Sequence, residues 1–144
     1  MKFITIIGRI LYSFIFIGTI ATHFSSETIQ HATAAGVPFP SVSVPLAALI
    51  ATLGGLSILL GYKAKVGSWL IVLFLIPVTL YMHRFWDVPD PSMQAMQKIN
   101  FMKNISLLGA ALIISQLGSG PGSIDRIERK KELAKSMPME KMNH

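Results

Sequence analysis

Four long apolar runs constrain this chain more than any other feature. The first is "FITIIGRILYSFIFIGTIATHF", Phe3 to Phe24; the others run from Val42 to Tyr62, Val66 to Met82 and Ile99 to Leu117. Each is close to the length of about 17–25 residues that a helix needs to cross a bilayer. Hydrocarbon offers the backbone no water, so such a run satisfies its own amides as helix. With 51% apolar and 14% charged residues among 144, and a mean hydropathy of +0.54, the chain has too little charge to cover a soluble domain. The expectation is an all-α protein: a four-helix transmembrane domain over residues 1–118, then a basic cytoplasmic tail over 119–144. The first run is long for a signal-peptide core and is interrupted by Arg9, so it reads as a membrane helix, with Arg9 snorkelling to the near interface. Pro77, inside the third run, predicts a kink.

Charge sets the orientation. Lys2, Arg9, Lys63, Lys65 and six residues of the tail make ten basic residues on one side of the four crossings; Arg84, Lys98 and Lys103 make three on the other. By the positive-inside rule both termini and the Lys63–Lys65 link are cytoplasmic. The short link makes runs two and three an antiparallel hairpin. The small residues of "GGLSILLG" (Gly54 to Gly61) permit close helix approach. The net charge of +6 reflects this topology, and nucleic acid is not an expected partner; the lipid bilayer is. A surface helix is expected in the tail from Ile124 to Lys135.

Cysteine is absent, which excludes disulfides, thiolate metal sites and cysteine nucleophiles. Gly118, Gly120 and Gly122 follow a helix rather than a strand and lack the dinucleotide-loop spacing. No metal is expected either, since His83 and Asp87 match no specific ligand signature.

Orientation gathers the polar residues at the outer end. His23 ends the first helix; His83 and Trp86 end the third; Asn100, Lys103 and Asn104 fall in the first turns of the fourth. Asn100 and Asn104 are four apart and share a face. Polar groups in a membrane are costly unless paired. One reading is a pocket for a quinone: His83 and Asn104 donate to its carbonyls, Lys103 stabilises charge developing on reduction, and Trp86 walls the site. The structural readings stay open beside it. Histidine and tryptophan favour headgroup depth, the asparagines can bond between helices, and Lys103 can snorkel.

These residues resemble the DoxX family of small four-helix bacterial membrane proteins. The likeness rests on "GRILYSFIF", "HF" (His23, Phe24), "GVPFP" (Gly36 to Pro40), "GGLSILLG", "HRFW" (His83 to Trp86) and "NFMKNISLLGAALI" (Asn100 to Ile113). It implies a four-helix transmembrane bundle in the bacterial inner membrane, linked to respiratory, sulfur-redox or oxidative-stress assemblies. Many such proteins carry an acid just before the paired glycines; here Ala51 and Thr52 stand there. The resulting expectation is a redox-associated subunit binding quinone at the outer face. Its electrons come from a soluble redox or stress-response partner, because this chain shows no electron carrier of its own; whether it catalyses anything alone is left open. Two alternatives remain: a non-catalytic scaffold or anchor for a soluble partner, and a small transporter, which would need a homo-oligomer.

Overall fold

Helix starts and stops follow local chemistry. Asp90 accepts a hydrogen bond from Met93 N at 2.8 Å, and Pro91 opens the helix that follows, the pairing of side-chain cap and first-turn proline expected of a helix start. Ser25 does the same for a shorter helix, accepting from Thr28 N at 3.2 Å. Gly61 stops another in the left-handed region, at φ +64.

The computed structural model describes residues 2–18 and 20–136. The elements are α1 (Lys2–Gly18), a 3-10 turn (Ala21–Phe24), α2 (Ser26–Ala34), α3 (Pro40–Leu60), α4 (Ala64–Met82), a second 3-10 turn (Phe85–Asp87), α5 (Pro91–Leu117) and α6 (Ile124–Ser136). The described residues contain no strand, so the all-α expectation holds. The count differs, with six α-helices among the described residues where four membrane helices and one tail helix were expected. The extra one is α2, inside the loop after the first apolar run; α6 falls where the tail helix was anticipated. Residues 137–144, the end of the expected tail, lie outside the described residues.

α1, α3, α4 and α5 run alternately up and down. Among the described residues, Pro40–Leu60 and Ala64–Asp87 are long and apolar enough to cross a membrane. The expected fourth run was too short: α5 starts at Pro91 rather than Ile99, because its first two turns are polar and held by the Asp90 cap rather than by hydropathy. α4 continues through Pro77.

The core joins Phe16 of α1, Ala51 and Ile58 of α3, Ile71 and Leu75 of α4 and Ala111 of α5. The small residues sit where helices cross. A Cβ on Gly54 would lie 2.8 Å from Gly67 O, and one on Gly55 would press on Phe16 and Ile17. Outward faces stay apolar, with Leu11, Phe14, Leu53, Leu73 and Ile113 all exposed.

At the Lys63 end, the segment after α5 folds back over the α3–α4 turn. Lys63 begins α4 at φ +48 with no cap of its own. Asp125 supplies one from 62 residues away: its carboxylate accepts from Lys63 N at 2.7 Å and Ala64 N at 3.4 Å, and from Ser119 Oγ at 3.3 Å. Asp125 N donates to Gly61 O at 3.0 Å. Arg9 does not snorkel into water. It is 7% exposed, because the returning segment covers it, and its Nη2 donates to Gly122 O at 2.7 Å.

Candidate functional site

At the opposite end, the loop between the first and second apolar runs is folded rather than slack. The Ser25 cap starts α2, and nearly inaccessible Ala32 seats it on the helices beneath. The chain leaves α2 through Gly36 at φ +75. Arg84, just past α4, reaches back and donates from Nη2 to Ala35 O at 2.7 Å. Its Nε also lies 3.7 Å from Asp87, a partly exposed ion pair worth at most about 1 kcal/mol. The two loops at this end are therefore tied together.

Beneath that tie lies a cavity of about 320 Å³, lined by the first 3-10 turn, α2, α3 and α4. Apolar walls come from Val37, Val44, Ala47, Pro77 and Val78; polar groups come from His23, Thr28, Ser43, Tyr81 and His83. The volume is at the small end of the range for ligand sites, and mostly apolar walls with a few polar groups are their usual chemistry.

Several of these polar groups are already committed. Ser43 Oγ donates to Pro38 O and Phe39 O, at 2.9 and 3.0 Å. The His23 ring packs edge-on to Phe74, centroids 6.2 Å apart. His83 Nδ1 lies 2.7 Å from Gln97 Oε1. That oxygen only accepts, so Nδ1–H donates, and in the neutral ring Nε2 remains as an acceptor. An acceptor suits a hydroxyl better than a carbonyl. The expected role of His83 as a carbonyl donor is therefore not the one this arrangement favours.

The six residues singled out from sequence fall into three places. His23 and His83 line the cavity together. Trp86 is half exposed and stacks edge-to-face with Phe85 and Phe101, at centroid distances of 5.1 and 5.8 Å. On α5, exposed Lys103 donates to Asn100 Oδ1 at 3.2 Å, while Asn104 is buried in line with Ala111 and Ser115 on the inward face. None of these last four lines the cavity. Thr28, Tyr81 and Gln97 were missed. Gln97 fell in a segment taken for loop, and the Asp90–Pro91 start signal would have recovered it. Among the described residues, no three of His, Asp and Glu gather closely enough to hold a metal ion.

The sequence pattern of the SURF4 family matches residues 1–133. The chain belongs to the SURF4 family. It is 27% identical over 99 residues to inner membrane protein YphA of Escherichia coli, covering 69% of this chain and 70% of that one. It is 28% identical over 130 residues to inner membrane protein YqjF of the same organism, covering 88% and 92%. The Surfeit locus protein 4 homolog of Drosophila melanogaster is 28% identical over 131 residues, 90% of this chain but only 42% of the fly protein. No solved structure matches significantly.

This SURF4-family assignment corrects the DoxX resemblance. Some motifs behind that resemblance, such as the paired glycines at a close crossing and the histidine and aromatic residues at helix exits, serve packing. The link to respiratory and sulfur-redox complexes goes with it. The SURF4-family chain is a multi-pass integral protein of the inner membrane, in keeping with its inner-membrane relatives and its exposed apolar faces.

Proposed function

We propose that the chain crosses the inner membrane four times, with both termini and the Lys63 turn in the cytoplasm, and holds an amphipathic ligand in the His23–His83 cavity at the far face. The alternating helices and the ten-to-three charge asymmetry support the topology. α1, with 17 residues, is about 26 Å long at 1.5 Å per residue, close to the hydrocarbon thickness of about 30 Å.

One observation carries the ligand reading: two histidines sixty positions apart share one mostly apolar cavity. Its chemistry fits a flat or branched apolar body bearing a hydroxyl or carbonyl, with the hydroxyl placed on His83 Nε2. A quinone and its quinol are the first pair to test, and the quinol should bind better. Lys103 and Asn104 lie apart from this cavity, so they do not stabilise charge on its ligand, and a redox role would rest on a soluble partner for electrons.

The test is titration of a short-chain quinone and its quinol against Trp69 and Trp86 fluorescence in mild detergent, beside analysis of co-purified lipids. Ala47→Phe, which fills the cavity, and His83→Ala should abolish binding while circular dichroism stays helical. Unchanged binding in both variants defeats the reading. A second reading, an anchor for a soluble partner, is favoured by α6, in which no residue is buried; loss of a co-purified protein on deleting residues 124–144, with quinol binding indifferent, would select it.

A further inference from the structure

The geometry points to a second site at the other end of the molecule: a pocket for the phosphate of an anionic phospholipid headgroup, built between the α3–α4 turn and the returning tail. A cavity of about 550 Å³ opens there, with Lys63 and Lys65 on one wall and Arg126 and Arg129 on the other. Its floor is the Gly118–Ser123 segment. Four cations converge on it, and the lone carboxylate in its lining, Asp125, is already engaged with the amides of α4 and with Ser119.

The surroundings add positive charge. Arg9 lies behind the floor: a Cβ on Gly61 would meet Arg9 Nη1 together with Ser119 and Ser123, both of which line the cavity. Arg9 is buried, and its Nε and Nη1 have no hydrogen-bond partner among the described residues. A neighbouring cleft of about 300 Å³ carries Lys2 and Lys130, with Arg126 shared between the two. Asp125 offsets part of the charge on Arg9, but four lysine and arginine side chains line the cavity against that one carboxylate, so an anion is the ligand its electrostatics select. Guanidinium forks from Arg126 and Arg129 match phosphate oxygens.

Lipid rather than free phosphate is argued from the rim. Val66 and Leu117, 59% and 80% exposed, border the cavity at the ends of the long apolar helices. They offer acyl chains a continuous path from headgroup to hydrocarbon. Basic pockets of this kind at helix ends are where anionic headgroups are held.

The full-length protein in neutral detergent is titrated by native mass spectrometry with short-chain phosphatidylglycerol, short-chain phosphatidylcholine and inorganic phosphate. Phosphatidylglycerol should bind, more weakly as salt rises. The pairs Lys63→Gln with Lys65→Gln, and Arg126→Gln with Arg129→Gln, should each lower its affinity about tenfold or more. Lys131→Gln with Lys135→Gln, whose residues lie outside the cavity lining, should change it less than twofold. Lys63→Arg with Lys65→Arg should retain binding, which separates lost charge from lost fold. Equal losses in the Lys131/Lys135 control overturn the site in favour of diffuse attraction to α6. Phosphatidylcholine or inorganic phosphate binding as tightly as phosphatidylglycerol overturns the anionic-lipid assignment.

Discussion

Replacing Asp125 by alanine should unlatch the Lys63 end. Three losses follow from the geometry. Lys63 N and Ala64 N, bonded at 2.7 and 3.4 Å, lose their side-chain cap at the start of α4, and a lost cap costs about 0.5–2 kcal/mol. A negative charge disappears from a helix N-terminus, worth about 0.3–1 kcal/mol. Arg9 also loses the carboxylate whose charge acts on it, which pushes in the same direction. Together the variant should be destabilised by about 1–3 kcal/mol, a sum that treats neighbouring effects as additive. Asp125→Asn keeps an acceptor and loses the charge, so it should fall between. The assay is SDS titration followed by Trp69 fluorescence, with hydrogen exchange at Lys63 and Ala64 as the local readout. Those two amides should exchange about tenfold or more faster, since each 1.4 kcal/mol is a factor of ten. An Asp125→Ala protein within about 0.5 kcal/mol of the parent, the range of ordinary surface changes, with those amides still protected, would refute the latch.

Other perturbations test the remaining contacts. Gly61→Ala places a side chain at φ +64 against Arg9, Ser119 and Ser123; left-handed strain of about 1–2 kcal/mol and overpacking of about 1–3 kcal/mol should lower SDS resistance more than Asp125→Asn does. Gly54→Ala drives a methyl toward Gly67 O, 2.8 Å away, and should destabilise the α3–α4 crossing by about 1–3 kcal/mol, whereas Gly109→Ala, with open space at its Cβ, should be neutral or slightly stabilising in the same titration. Arg84→Ala cuts the tie to Ala35 O; amides of residues 26–34 should then exchange faster in mass-spectrometric hydrogen exchange while those of α3 do not.

Much of the architecture was legible in hydropathy. The apolar runs located α1, α3 and α4 within a few residues, except that the first run also took in the 3-10 turn at Ala21–Phe24. Wherever a helix was held by capping rather than by apolar content, hydropathy was blind, and the first turns of α5 and all of α2 were read as loop. The site was legible only in part. Topology put His23, His83, Trp86, Asn100, Lys103 and Asn104 at one end, but an end of a helical bundle is wider than a binding site. Which way each side chain leaves its segment decided that His23 and His83 line one cavity while Lys103 turns outward to Asn100.

By itself, the sequence determined that this chain lives in a membrane as helices, because long apolar runs leave the backbone no other way to satisfy its amides there. It also carried the ten-to-three charge asymmetry from which an orientation is expected. Only the tertiary structure decided that Asp125 caps a helix 62 residues away, that Arg9 is covered rather than snorkelled, and that two cavities open at opposite ends. Those outcomes depend on long-range docking of polar groups, which leaves no periodic trace along the chain.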